Sequence, residues 1–241
     1  MSKQLLIYEN IVLLSSEQHG EWCFKNKSDF LFAKGSNSFP VLNIEFFQAA
    51  SFYPIVFIKT EDGVYPSAIV GIQDQQNLFV NESGEWDVDY VPAFVRRYPY
   101  IFSLSEDQKQ LTVGIDDTFD GWNQEGLGER LFDNEGNQTQ YLNNVLNFLQ
   151  DYHSKYLQTE AFCKKLIELD LLEDMQANLK VDGVDQLPLK GFLGVSRQKL
   201  MNLSQEDSYE LLKSGALELI YLHLHSLNRF SDLAKRSSSN E

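Results

Sequence analysis

The chain is poor in the residues that most catalytic and metal-binding chemistry requires. Its 241 residues include two cysteines, Cys23 and Cys163, and four histidines, His19, His153, His223 and His225. Two cysteines are too few for a disulfide scaffold or a thiolate zinc site, and a reducing, cytoplasmic address fits this usage best. His223 and His225 lie about 200° apart around a helix, the wrong geometry for one shared ion. His223 shares its helical stripe with Ala216, Leu219, Ile220 and Leu227, which reads as a hydrogen-bonded core histidine. No G-x-S-x-G elbow, phosphate loop, H-E-x-x-H or C-x-x-C occurs. No metal and no cofactor are therefore expected.

Basic charge is scarce as well. Twenty lysines and arginines face 35 acids, for a formal net charge of −15 and a pI near 4.6. Such a field repels phosphate backbones, so nucleic acid is excluded as a partner. Long apolar runs are missing too. The longest, "YPIVFI", falls far short of the roughly 18 residues that span a bilayer, so no membrane insertion is expected. The N-terminal "MSKQLLIYENIVLL" is broken by Glu9 and Asn10 and lacks the continuous apolar segment of a secretory signal.

What is present suffices for a packed domain: 43% hydrophobic and 13% aromatic residues can bury a sizeable core without staples. From Ser28 to about Asp116 short β-branched and aromatic runs alternate with turn residues. "YPIVFIK" and "YPSAIVGI" flank "TEDGV" as a hairpin, and "NLFV", "WDVDY" and "QLTVGID" add further strands of an antiparallel meander. Short helices are expected over about Asn43 to Ser51 and over Val91 to Tyr98. The segment Asp116 to Gln140 is an acidic, glycine-rich loop with seven carboxylates to one arginine and a short strand at "RLF".

Helical periodicity then takes over. One helix is expected to start after Thr139, with Leu142, Val145, Leu146, Leu149 and His153 on one stripe. A second should run from Thr159 to Glu173. An Asp-Gly hairpin at "LKVDGVDQL" follows, and a final helix runs from Ser204, which opens an S-x-x-D capping box, to about Ala234. The fold class read from this pattern is α+β: an antiparallel N-terminal sheet with short helices and a helical C-terminal half around a buried long helix. The expected boundaries are a sheet region with the acidic loop over 1–138, a helical region with a small hairpin over 139–234, and a disordered tail over 235–241. "NLFVNESGEWDVDYV" and "ERLFDNEGNQTQYL" echo one another. The echo reads as turn grammar recurring by composition, with duplication as the alternative.

The functional candidates cluster in "DYVPAFVRRYPYIF". Val91, Phe94, Val95 and Tyr98 make an apolar helix face and leave Arg96 and Arg97 off it. Two readings stand. One arginine clamps the acidic loop through a carboxylate between Asp116 and Glu135; or a guanidinium flanked by aromatics binds a carboxylate, phosphate or sugar. The ligand-binding candidates are Arg96, Arg97, Trp86, Tyr90 and Trp122. "DDTFDG" imitates the start of a calcium loop, but Leu127 stands where the closing Glu belongs.

At these residues the chain resembles a known family. "FPVLNIEFFQAASFYPIVFIK", "NLFVNESGEWDVDYVPAFVRRYPYIF", "LFDNEGNQTQYLNNVLNFLQDY" and "LKGFLGVSRQKLMNL" resemble, in order, signature blocks of the SapC family of bacterial proteins. The likeness runs from about Tyr8 to Leu233. It implies a link to a paracrystalline bacterial surface layer, from which the family takes its name. It also implies a gene neighbourhood of tryptophan-halogenase-like proteins, cupin-like proteins and TonB-dependent receptors. It transfers no catalytic residue. The expectation is a non-catalytic binding or accessory protein of a peptide or glycan uptake or modification system. The alternative is an enzyme acting on a small anionic, glycan or peptide substrate where the arginine helix meets the acidic loop.

Overall fold

The computed structural model describes residues 6–61, 63–104, 111–181 and 184–239. It is an α+β protein whose sheets are all antiparallel. The chain divides into two compact units that interleave along the sequence. The first holds Met1–Asp29 and Val95–Ser154, the second Phe30–Phe94 and Lys155–Glu241.

In the first unit, strands Tyr100–Leu104 and Leu111–Asp116 form a hairpin, and Ile11–Leu13 adds to its Leu111–Asp116 edge. A smaller sheet pairs Cys23–Phe24 with Trp122–Asn123 and Glu129–Arg130. Tyr100, Val113, Ile115, Leu131, Phe132, Leu142 and Leu149 form the core, with Trp22, Phe24, Trp122 and Tyr141 packed against it. In the second unit, the expected hairpin forms from Ile55–Thr60 and Gly63–Ile69, although Asp62 of its turn lies outside the described residues. It joins Ser38–Pro40 on one side and the hairpin Leu172–Val181 with Val184–Val195 on the other. The turn of that second hairpin, Asp182 and Gly183, also lies outside the described residues. The edge strand Leu172–Val181 carries exposed Glu173 and Asp174 and two register shifts, devices that discourage pairing with another sheet.

Three differences from the sequence reading have plain physical causes. The two helices expected around Thr159 are one, Gln140–Glu168, since no glycine or proline interrupts that stretch. Thr159 does not start a helix. Its hydroxyl donates to Lys155 O at 2.8 Å inside the helix and accepts from Asn43 N at 2.9 Å. The helix stops at Asp170, at φ 50°, where Leu171 N reaches back to Leu166 O, so Leu172 and Glu173 belong to a strand. The helix expected from Ser204 to Ala234 starts as foreseen, with the Ser204 hydroxyl accepting from Asp207 N, but Gly215 at φ 77° breaks it. Ala216–Ser226 then buries one face, Ile220, His223 and Leu224, while Tyr221 is exposed. The closing helix Phe230–Ser239 takes in Lys235 to Ser239, residues counted as tail from their polarity.

The echoed segments form the same loop. Asn81 and Asp133 each accept, through a side-chain oxygen, the amides two and four residues on, and glycines 84 and 136 sit three residues on at φ 84° and 82°. Asn123 does the same with Glu125, Leu127 and Gly126, outside the echo. Asx and Gly three residues apart are therefore sufficient to produce the loop.

His223 ties the second unit together. Val195 N donates to its Nε2 at 3.0 Å, so Nε2 carries no proton and Nδ1 donates to Ile55 O at 2.8 Å. One ring thereby satisfies backbone groups on two strands whose described Cα pairing is confined to Leu193 and Phe57. Ser226 adds to the staple, accepting from Ile55 N at 2.9 Å. Burial pushes His223 down to about 4, from the usual 6.5. A base held neutral in the fold stabilises it fully above pH 6.5, and that contribution falls as the unfolded chain takes up a proton between pH 6.5 and 4. The expected loss across that window is about 3 kcal/mol. Denaturant titrations of the wild type and His223→Gln at stepped pH check it: the stability gap between them should narrow as pH falls.

Candidate functional site

The two arginines are divided by one step of a helix. Arg96 closes the short helix Ala93–Arg96 and is exposed, its guanidinium 5.7 Å from the Phe148 ring centre. Arg97, turned about 100° away, is 4% exposed. Its Nε donates to the Tyr8 hydroxyl at 3.1 Å, and its guanidinium lies 5.6 Å from the Tyr8 ring centre and 4.8 Å from that of Tyr152. The Tyr8 hydroxyl in turn donates a hydrogen bond to Tyr100 O at 2.8 Å. Burial raises the Tyr8 phenol against the pull of Arg97. The contacts described for Arg97 include a phenol and two aromatic faces.

The buried acid of this unit, Asp116, serves the backbone. Asp116 ends its strand at 0% exposure. Its Oδ2 accepts from Glu9 N at 2.7 Å; its Oδ1 accepts from Asn10 N at 3.2 Å and from the Thr118 amide and hydroxyl at 3.2 and 2.7 Å. The resemblance of "DDTFDG" to a calcium loop thus has a structural origin, since the first carboxylate caps two chain segments and Asp120 pairs with Lys27. Among the described residues, no group of three or more His, Cys, Asp or Glu is placed to hold a metal ion. Trp122 donates its indole N–H to Asp116 O at 2.8 Å and packs among Phe24, Tyr100 and Phe119. Tyr98, edge-on to Phe119, has its phenol raised by burial and by Asp116. Tyr100 and Tyr141 share a hydroxyl contact of 3.2 Å, and burial pushes Tyr141 up to about 12.

The other two candidates, Trp86 and Tyr90, belong to the second unit. Trp86 Nε1 donates to the Tyr53 hydroxyl at 2.8 Å, and that hydroxyl donates to Tyr90 O. The Tyr90 hydroxyl donates to Glu45 Oε1 at 2.5 Å. Glu45, 5% exposed, also accepts from Ala93 N and Leu42 N at 2.7 Å each. Sequence reasoning did not single out Glu45; the signal was an acid at a helix start inside "LNIEFF", where only a satisfied carboxylate can be buried. Asp87 pairs with Arg236 at 2.5 Å, and Arg236 lies 4.3 Å from the Phe79 ring centre.

The remaining groups with chemical potential are used in the same way. Both cysteines are buried and unbonded, and burial with nearby Glu160 pushes the Cys163 thiol up to about 12, far from a working nucleophile. The His19 ring meets the backbone of Ser15 and stands edge-on to Trp22. No described helix is long and apolar enough to cross a membrane.

A family model described as SapC matches residues 14–233. No curated protein and no solved structure matches the chain.

The arginines should behave unequally. Arg97→Ala opens a cavity beside the buried Tyr8 phenol and should cost about 3–5 kcal/mol. Arg96→Ala removes an exposed side chain and should cost less, within about 1 kcal/mol. Thermal melts of the two variants check this, and equal losses would contradict the division of roles.

Proposed function

The chain belongs to the SapC family, and from that premise we propose that it is a non-catalytic binding protein, an accessory to a bacterial peptide or glycan uptake or modification system, related to surface layers and working in the cytoplasm. The observation that carries the reading is how the polar interior is used. Asp116, Glu45 and His223 accept backbone amides, Arg97 meets a phenol, and the Cys163 thiol is raised out of reactive range. General acid–base or nucleophilic work needs such a group within reach of substrate and near its working pKa.

Arg96 is the member of the candidate set that favours ligand contact. It is exposed, and its planar cation beside the Phe148 ring suits a carboxylate or the face of a sugar. The other candidates, Arg97 and Trp122 in the first unit and Trp86 and Tyr90 in the second, serve this reading as structural support through their internal hydrogen bonds.

The test is calorimetric titration of the wild type and Arg96→Ala with soluble oligosaccharides and with carboxylate-bearing oligopeptides, each mixture then being assayed by mass spectrometry. The expected result is saturable binding of one class, weakened roughly tenfold or more by the substitution, as for loss of a charge-assisted contact, with the ligand recovered intact. Turnover of the ligand would overturn the non-catalytic reading in favour of an enzyme, and binding untouched by Arg96→Ala would remove that residue from the site.

A further inference from the structure

The helix that carries Phe148 has an exposed face of uncommon composition for so acidic a protein. Of the exposed side chains from Gln140 to Asp151, five are carboxamides, Gln140, Asn143, Asn144, Asn147 and Gln150, and one, Asp151, is charged. Further along the same helix the exposed positions return to charge, with Glu160, Lys164 and Glu168. A solvated helix face ordinarily carries charged residues that support it through i, i+4 pairs. Asparagine is a weak helix former, because its amide competes for backbone partners. Asn143 shows that competition, its Nδ2 donating to Thr139 O at 2.9 Å. Three asparagines between positions 143 and 147 therefore cost the helix where alanine, lysine or glutamate would support it.

Four of these six side chains line up. Gln140, Asn144, Asn147 and Asp151 follow the i, i+4, i+7, i+11 spacing of one stripe, within a sector of about 60° and over about 16 Å of helix. Phe148 stands about 40° from Asn144 at the border of the stripe, half-buried, with the Arg96 guanidinium 5.7 Å from its ring centre. Within the stripe, Gln140 Nε2 donates to Asn144 Oδ1 at 2.9 Å, which orients that pair. Among the described residues, the side chains of Asn147 and Asp151 have no hydrogen-bond or ion-pair partner.

We propose that this stripe, with Phe148 and Arg96 at its border, is a binding face for a neutral oligosaccharide. A sugar hydroxyl gives and takes a hydrogen bond at one atom, and a carboxamide, which offers a donor and an acceptor in one plane, answers it without charge. Asp151 accepts from hydroxyls, the Phe148 ring covers the apolar face of a sugar, and the Arg96 fork donates to sugar oxygens. A peptide presents its donors and acceptors on separate groups and adds side chains that need pockets of their own. An anionic ligand would meet a protein of formal net charge −15. Arg96 is here the same ligand contact as in the binding reading, on which the assignment rests; the stripe adds four residues to it and selects glycan over peptide.

Calorimetric titration of the full chain tests it, with neutral soluble oligosaccharides of glucose and of N-acetylglucosamine in one arm and oligopeptides in the other. The proteins are the wild type, the double variant Asn144→Ala with Asn147→Ala, and Arg96→Ala. Alanine is the better helix former, so the double variant should melt no lower than the wild type. The expected result is saturable binding of a neutral oligosaccharide that the double variant weakens roughly tenfold or more, the scale of losing a pair of hydrogen bonds. In nitrogen-15 spectra of the wild type, the side-chain amide signals of Asn144 and Asn147 should shift with the same oligosaccharide. Unchanged affinity in the double variant, or unshifted amides, overturns the stripe as a site; if Arg96→Ala still weakens binding, Arg96 keeps its role without it. Loss in the double variant with none in Arg96→Ala supports the stripe and removes Arg96 from it. Binding of oligopeptides with no binding of oligosaccharides overturns the glycan as ligand, and binding of neither overturns the stripe and the Arg96 reading together.

Discussion

A guanidinium taken out of water must be given back the interactions it loses, and Arg97 imposes that requirement on the whole first unit. The Tyr8 hydroxyl supplies one hydrogen bond, and the Tyr8 and Tyr152 rings offer their electron-rich faces. Tyr8 does so just ahead of Ile11–Leu13, which pairs along the sheet edge where Gly114 lacks a side chain, while Asp116 fixes the amides of Glu9 and Asn10 between them. The buried cation and the path of the chain from Tyr8 to Leu13 are therefore linked.

The second unit obeys the same rule with other groups. Glu45 collects two amides and a phenol, and in doing so joins Leu42, Tyr90 and Ala93. His223 and Ser226 bond the backbone of Ile55, and His223 that of Val195 as well, across 168 and 28 positions of sequence. Each polar group is fully engaged at low exposure, where a half-satisfied network would cost more than an apolar core. This use of the interior connects the fold to the proposed function. The buried Asp116, Glu45 and His223 are bonded to the backbone, whereas Arg96 stays exposed.

Local pattern made much of this visible beforehand. The Ile55–Thr60 hairpin, the Ser204 cap, the core role of His223 and the short helix at Ala93–Arg96 follow from spacing, turn residues and the apolar stripe. So does the unequal exposure of Arg96 and Arg97, because adjacent helical residues point apart. What stayed hidden depends on contacts distant in sequence. Tyr8 and Arg97 are 89 positions apart, and no period or motif links them. Glu45 is bonded to Tyr90 and Ala93, 45 and 48 positions away, which no local pattern announces. The break at Gly215 and the continuity through Thr159 are local instead: glycine adopts the positive φ that ends a helix, and the threonine that can cap one helix can equally bond back within another.

The central claim is that Arg97 is sealed into the fold while Arg96 faces outward. Nitrogen-15 NMR of the arginine side chains measures it directly through exchange of the Nε–H protons with solvent. The account predicts a resolved, slowly exchanging Nε–H for Arg97 with a cross-peak to the Tyr8 ring, and a rapidly exchanging one for Arg96. Two Nε–H signals that exchange equally fast would contradict it.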